Sequence, residues 1–478
     1  MSAVPAISPE SLAARIADRE GALEGFFERE QERLARACHD MARTFSRGGT
    51  LIAFGTGAAA TDAAHVAVEF MHPVIVGKRA LPALALTNDA TGAAALGGLT
   101  GAGDIALAIC HGPPEPALER FLAGARGKGA LTLAFGAAGS LPEADHAFAV
   151  PSEDPDVVQE VHETAYHVLW ELVHVFFEHP GLLDEACITC GDVAVEARVV
   201  AVRGPTAMVE REGAREEVAV ELVEGVQEGD LLLCHAGVAL EKLADAADGP
   251  ADRNGRGAIE PDGDDATDRN GDADDPSGFL YPFMSSSAPV DLGAVLADVQ
   301  ASSVRKGQDA IELRRGIDLD AVRACAEGVR ERLRRGGRLI AFGNGGSSTD
   351  AQDLAADALA RGFPALALND DVATITAVGN DVGFDNVFAR QLIPLARPSD
   401  VAIAITTSGS SRNAIAGLEE ARRRTMLTIG IAGYDGGELA ELDWLDHLFV
   451  VRNDYVPRLQ EAHATIYHLL LDAIGGAS

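Results

Sequence analysis

The chain is 478 residues long, carries a formal net charge of -34, and is 47% hydrophobic but only 5% aromatic. That length predicts two to four domains, and the apolar share is enough for proper cores. The charge excludes a nucleic-acid role, which needs clustered Lys and Arg, and disfavours docking on an anionic membrane surface.

Abundant Ala and Gly with few aromatics suit close-packed α/β layers better than a β-sandwich. The stretch MSAVPAISPESLAARIADRE has no basic start and no apolar run of signal-peptide length. No run reaches transmembrane length free of charge, so the expected compartment is the cytoplasm. Six cysteines in a chain of this length do not make a disulfide scaffold. Cys38, Cys110 and Cys325 sit in apolar or helical patterns and read as core thiols, while Cys187 and Cys190 form a CxxC pair.

In chain order, the first predicted element is a long helix. Leu12, Ile16, Leu23, Phe26, Phe27, Leu34, Cys38, Met41 and Phe45 recur mostly at three- and four-residue spacings, after a start signal at Ser8 and Pro9. RGGTLIAFG at 47–55 then returns as RGGRLIAFG at 335–343. LPALALTND from Leu81 returns as FPALALND from Phe363, and QEVHETAYHVL from Gln159 as QEAHATIYHLL from Gln460. Three matches in one order mean a duplicated domain of about 180 residues, far too long a period for a solenoid. In the second copy, apolar runs at Leu339–Phe342, Ala365–Leu368, Val401–Ile405, Leu427–Ile431 and His447–Val451 alternate with helical patterns. Buried strands separated by helices predict a parallel sheet covered on both faces. A last helix is expected from near Pro457.

Between the copies, residues 187–243 are strand-like with Gly and Pro at the joints, which suggests a small β-barrel. Residues 244–277 hold eleven acidic and three basic residues and repeat DRNG, the composition of a disordered, self-repelling linker. An apolar cluster, Phe279–Phe283, closes it. The expected domains are thus 1–184, 185–243, a linker 244–290, and 291–478.

Two turns in the second copy suit an anion. Leu339–Phe342 runs into GNGGSSTDAQ, where small residues expose backbone N–H groups, a helix N-terminus adds its dipole, and Ser347 and Ser348 add hydroxyls. Val401–Ile405 runs into TTSGSS, where Thr406, Thr407, Ser408 and Ser411 could ring one phosphate. Neither turn is a Walker sequence or a dinucleotide fingerprint.

With AVGNDVGFDNVF (Ala377–Phe388) and RLQEAHATIYH, these turns make residues 320–474 resemble the phosphoheptose isomerases, sugar isomerase (SIS) domain proteins acting on sedoheptulose 7-phosphate. The resemblance implies a phosphate site at Ser347, Thr406, Thr407, Ser408 and Ser411, with Asn344 and Asp381 close by and Arg361 as a substrate-binding arginine. The family moves a proton between neighbouring carbons with a His-x-x-x-Glu pair and a Gln and His eight apart, a set that binds zinc in some members. The first copy keeps the whole set as His65, Glu69, Gln159 and His167, with Asp156 at a further active-site position. Its phosphate turns are degraded to GTGAAATDAAH and CHGPPEP. The second copy is the inverse: intact turns, Gln460 and His468 retained, but Asp353 and Asp357 in place of His and Glu, and Pro457 in place of Asp. Asp357 is shorter by about one C–C bond, enough to misplace proton transfer; Asp353 and Asp357 could hold a harder ion with His468. The candidate catalytic residues are Glu69 and His167 in one copy, and Asp357 and His468 in the other. Two readings stay open: one composite site with phosphate held by the second copy and chemistry by the first, or a pair that has lost isomerase chemistry and persists as a ligand-sensing scaffold.

The stretch from Cys187 through LLLCHAGVALEKL resembles the HypC/HupF chaperones of [NiFe]-hydrogenase maturation. That resemblance implies a transient iron cargo, Fe(CN)2CO, held by a cysteine and a histidine and passed to the hydrogenase large subunit together with other maturation proteins. His235 matches the histidine; Cys187 and Cys190 are the cysteine candidates, although the family's cysteine usually follows the initial Met and here it is internal. A structural zinc site with Cys234 and His235, or a plain binding module, remain alternatives. The leading expectation is a hydrogenase maturation protein whose SIS pair binds a phosphosugar; the second is an isomerase with an accessory barrel. Pairing of the copies within the chain, and of two chains into a homodimer, is expected from the domain class.

Overall fold

The computed structural model describes residues 7–73, 78–86, 99–179, 182–183, 195–204, 206–211, 214–220, 223, 225–235, 238–243 and 292–475. Cys187, Cys190, the acidic linker and Phe279–Phe283 lie outside the described residues.

Helix α1 runs over Pro9–Ser46, capped by the Ser8 hydroxyl, which accepts from Ser11 N at 3.2 Å. All nine apolar residues of the helical pattern are buried along it. There follow β1 (Leu51–Gly55), α2 (Ala59–Met71), β2 (Ala83–Leu86), β3 (Ile105–Ile109), α3 (Pro116–Arg126), β4 (Leu131–Ala137), β5 (His146–Val150) and α4 (Pro155–Phe177). Strands β6 (Val195–Arg203), β7 (Thr206–Arg211), β8 (Ala214–Ala219), β9 (Leu231–His235) and β10 (Val238–Leu243) come next. The second copy comprises α5 (Leu292–Arg315), α6 (Leu319–Arg334), β11 (Leu339–Gly343), α7 (Gly346–Ala360), β12 (Ala365–Ala367), α8 (Val372–Asp381), α9 (Val387–Leu395), β13 (Val401–Thr406), α10 (Arg412–Arg423), β14 (Leu427–Ala432), β15 (His447–Val450) and α11 (Val456–Gly475).

The two copies build the same parallel sheet, in the orders β2-β1-β3-β4-β5 and β12-β11-β13-β14-β15. Central strands such as β1, β3, β11 and β13 are buried throughout, as continuous apolar runs require when helices cover both faces. In each sheet the connections leave the first strand in opposite directions, so a crevice opens at the carboxyl ends of the first and third strands. That switch point brings GNGGSS and TTSGSS side by side. Strands β6–β10 close into a barrel around Val199, Val209, Val218 and Leu232.

Residues Met1–His174 and Val295–Ser478 form one compact unit, and Val175–Ala294 another. Inside the first unit the copies are interleaved. Ile7, Leu12 and Ile16 of α1 join the core of the second sheet, with Cys325, Leu427 and Phe449. Gly307 of α5 lies so close to α1 that a Cβ there would sit 2.5 Å from the Phe27 ring. Cys38, Cys110 and Cys325 are buried free thiols.

The deepest cross-link is polar. Glu160 of α4 accepts from Arg19 Nε at 2.7 Å and the Thr465 hydroxyl at 2.5 Å, while His468 Nδ1 lies at 2.9 Å and Arg314 Nε at 3.5 Å. Burial alone would raise the Glu160 pKa, but Arg19, His468 and Arg314 hold it well below the usual carboxylate range. Glu160→Ala leaves buried Arg314 without its counter-charge and Arg19 with only Asp472, 4.0 Å away. The variant should lose about 3–5 kcal/mol in urea unfolding at neutral pH. The contribution is complete above the ordinary glutamate value of about 4.3 and falls as the pH drops through the depressed folded value. The difference from wild type should therefore shrink in acid.

A composite candidate site between the two copies

Both Ser/Thr-rich turns of the second copy join a strand to a helix, β11 to α7 and β13 to α10. Helix α7 begins after Gly345 (φ +57°) and α10 after Ser411, and neither N-terminus is capped by a side chain, so their N–H groups stay available to an anion. The turns are tied together by a two-way amide pair, Asn344 and Asn413, with both bonds at 2.8 Å. The Thr406 hydroxyl lies 3.0 Å from that of Ser411 and 3.4 Å from that of Ser408. Ser347 is buried in the first turn of α7, and the Thr407 carbonyl accepts from Gly433 N at 3.0 Å. An open cleft of about 750 Å³ lined by Ser408, Ser410, Tyr434, Arg452 and Asn453 adjoins the second turn. Arg452 and Tyr434 carried no signal of their own in the sequence, because each follows the end of a strand outside both Ser/Thr-rich turns.

Against this cradle stands the acid–base set of the first copy. His65 and Glu69 project from one face of α2, with His65 Nε2 3.7 Å from Glu69 Oε1. His167 on α4 brings its Nε2 to 3.4 Å from that of His65. A Cβ on Gly346 would lie 2.8 Å from His65 Nε2 and 1.8 Å from Gln460 Nε2. The Gly346 turn of one copy and the histidine of the other therefore abut, and only glycine fits at the contact. The matching residue in the degraded turn is Ala58.

Gln460, from α11, is the glutamine beside His65; Gln159 is buried on α4. The outer contacts set the imidazoles. Glu461 Oε1 lies 3.1 Å from His167 Nδ1 and is itself paired with Arg458, so a proton on Nδ1 turns the Nε2 lone pair toward the pocket. Burial would raise Glu461, but Arg458 and His167 bring it down to about 2. The Tyr166 hydroxyl lies 3.0 Å from His65 Nδ1. Burial lowers the pKa of His167. At His65 burial is outweighed by Glu69, Asp350 and Asp62, and the pKa is raised.

These residues fit a zinc-type cation. Ligand atoms of His65, Glu69 and His167 lie within 4.8 Å of one another. Glu69 Oε2 and Gln460 Oε1 are both buried without a hydrogen-bond partner. Two imidazoles and a carboxylate with one orphaned oxygen form a mixed N/O donor set of the kind zinc takes.

The pseudo-symmetric position holds a different cluster. His468 Nε2 lies 2.9 Å from Asp357 Oδ2 and 3.8 Å from Asp353 Oδ2. Tyr467 and Thr61 donate to Asp353 at 2.6 and 3.1 Å. Arg361 pairs with Asp156, so both belong here. Arg361 caps the far end of α7, about 20 Å from Ser347 at 1.5 Å per residue. Asp381 ends α8, a helix with no buried residue, and accepts from Asn380 at 2.9 Å. In the barrel, Cys234 is part of the apolar core, and burial pushes its thiol up to about 11. His235 ends β9, and its side chain is outside the described residues.

A SIS domain profile matches residues 16–112 and 309–433, and a HupF/HypC family profile matches residues 193–248. The phosphoheptose isomerase of Geotalea daltonii is 43% identical over 159 residues, covering 32% of this chain and 82% of that protein. That of Solidesulfovibrio magneticus is 41% identical over 193 residues, covering 39% and 89%. A solved structure from Salmonella typhimurium, described as a sugar binding protein, covers 97% of this chain and 98% of its own at 11% identity and a TM-score of 0.51, a likeness of fold. Twin parallel sheets of the same strand order, each matched by the SIS profile, define a tandem SIS-domain protein. The chain belongs to the family of the phosphoheptose isomerases, with a HupF/HypC-type barrel inserted between its two SIS copies. No described helix is long and apolar enough to cross a membrane.

Glu461→Ala removes the group that orients His167 without touching a ligand. Zinc affinity, measured by competition with a chromogenic chelator, should fall about 10–100-fold.

Proposed function

We propose that the chain is an aldose–ketose isomerase-type enzyme acting on a phosphosugar of the sedoheptulose 7-phosphate class, with one composite site per chain. The observation that carries this reading is the contact of His65 Nε2 with Gly346, which joins the proton-handling set of one copy to the phosphate cradle of the other. It favours the composite reading over a purely scaffolding pair, and it moves isomerase chemistry ahead of hydrogenase maturation as the role of the SIS copies.

Substrate phosphate is held by the α7 and α10 N-termini with Ser347, Thr406, Ser408 and Ser411. Glu69 takes the proton from the carbon next to the carbonyl and returns it to the neighbouring carbon, while His167, steadied by Glu461, manages the hydroxyl proton. A zinc-type cation held by His65, Glu69, His167 and Gln460 supplies polarisation of the two substrate oxygens when bound. Asp357, a methylene shorter and engaged with His468, takes no part.

The match of residues 193–248 to the HupF/HypC family favours a second role for the barrel: carriage of Fe(CN)2CO by His235 with Cys187 or Cys190 toward a hydrogenase large subunit. The two roles are separable in one chain.

Glu69→Gln should lower kcat by about 10²–10⁴-fold in a sedoheptulose 7-phosphate isomerisation assay, whereas Asp357→Asn should leave it within a factor of a few. Equal losses in both variants would sink the one-site reading. For the barrel, deletion of residues 187–243 should spare isomerisation and abolish hydrogenase activity in cells. The anaerobically purified full chain should show cyanide and carbonyl infrared bands that one of Cys187→Ala and Cys190→Ala removes.

A further inference from the structure

The first copy has lost its phosphate cradle, yet the place is neither empty of chemistry nor filled with apolar side chains. His111 directly follows Cys110 at the end of β3, where strand register sets Thr407 in the second copy. Its Nε2 is 2.5 Å from Asp62 Oδ2, on the first turn of α2. His162, from α4, completes the group: ligand atoms of Asp62, His111 and His162 lie within 4.8 Å of one another. His162 is 0% exposed, and neither of its ring nitrogens makes a hydrogen bond, although the Gly136 backbone is close enough to favour a proton on the ring. His463, its counterpart in the second copy, is buried with both ring nitrogens equally unpartnered, so what sets this cluster apart is the arrival of His111 and Asp62 at the His162 ring.

We propose that Asp62, His111 and His162 form a second divalent-cation site, of zinc type, separate from the composite site and built where the first copy gave up phosphate binding. Two imidazoles and one carboxylate are a donor set that zinc accepts, with a fourth position left for water or another ligand. The charge agrees with a cation. Asp62 faces His111 directly, and Asp353 and Asp357 act on it from α7. The second copy offers the control within the same chain: Asp350 and His463 match Asp62 and His162, but Thr407 stands where His111 does, so the third ligand is missing. His111 is therefore the residue that makes the site. Bound metal would join the end of β3 to α2 and α4, and would hold shut the turn that its sister uses for substrate.

The test is metal stoichiometry on the full-length protein, with every form, wild type included, carrying Cys187→Ala and Cys190→Ala so that the barrel's CxxC thiols take no metal, stripped with chelator and titrated with zinc, and with cobalt for its visible spectrum. Wild type should bind two equivalents per chain. His111→Thr, which installs the sister residue, should bind one and keep isomerase turnover, and His65→Ala should bind one as well. In the His65→Ala background, zinc should still raise the melting temperature, and His111→Thr should remove that rise. A wild type that binds one equivalent, lost with His65→Ala and kept by His111→Thr, would overturn the proposal and leave Asp62–His111 as an ion pair plugging a disused cradle. Two equivalents in His111→Thr would overturn it equally. Neither result touches the isomerase reading, which the Glu69→Gln assay decides alone.

Discussion

The structure depends on a reciprocal carboxylate–imidazole exchange between the two terminal helices. Glu160 of α4 orients His468 of α11, and Glu461 of α11 orients His167 of α4. Each glutamate is buried and each is held ionised by guanidinium groups, Arg19 and Arg314 around one and Arg458 beside the other. Such groups are expensive to desolvate one at a time, so the arrangement is favourable only when both copies are docked and every partner is present. The same pairs that lock the copies together set the orientation of the histidines. Docking of the copies and placement of these histidines are one event.

The two copies have diverged in opposite ways across this interface. Each pocket at the interface takes its phosphate turn from one copy and its acid–base residues from the other. A pair of identical copies would have two complete pockets. Here one pocket keeps Ser347, Thr406 and Ser411 with His65, Glu69 and His167. The other combines the degraded turns of the first copy with Asp353 and Asp357, where His468 is tied to Asp357 and Arg361 to Asp156. All the losses fall on one pocket, which is what fusion in a single chain permits. Gly346 against Gln460 and His65, and Ala58 in the relaxed counterpart, are the local trace of that division.

Much of this was legible before any coordinates. The repeated RGG-x-LIAFG segments, the alternation of apolar runs with helical patterns and the Ser/Thr-rich turns placed the strands of the second sheet to within a residue or two at most ends, because buried parallel strands must be continuous apolar runs. The apolar periodicity of α1 marks one buried face. It does not mark the destination: Leu12 and Ile16 pack on the sheet of the second copy, and periodicity says that a face is buried without saying against what.

The sequence by itself determined the duplication, the sheet class, the two anion turns and the opposite decay of the copies, since each of these is written in local spacing and residue type. Only the tertiary structure decided which parts meet. Gln460 rather than Gln159 stands beside His65, Arg361 belongs to the altered pocket, and His111 joins Asp62 and His162. The reason is geometric: these partners are separated by 49 residues or more along the chain, and the packing of helices on their own sheet and on the other copy, which no local spacing encodes, sets their distances.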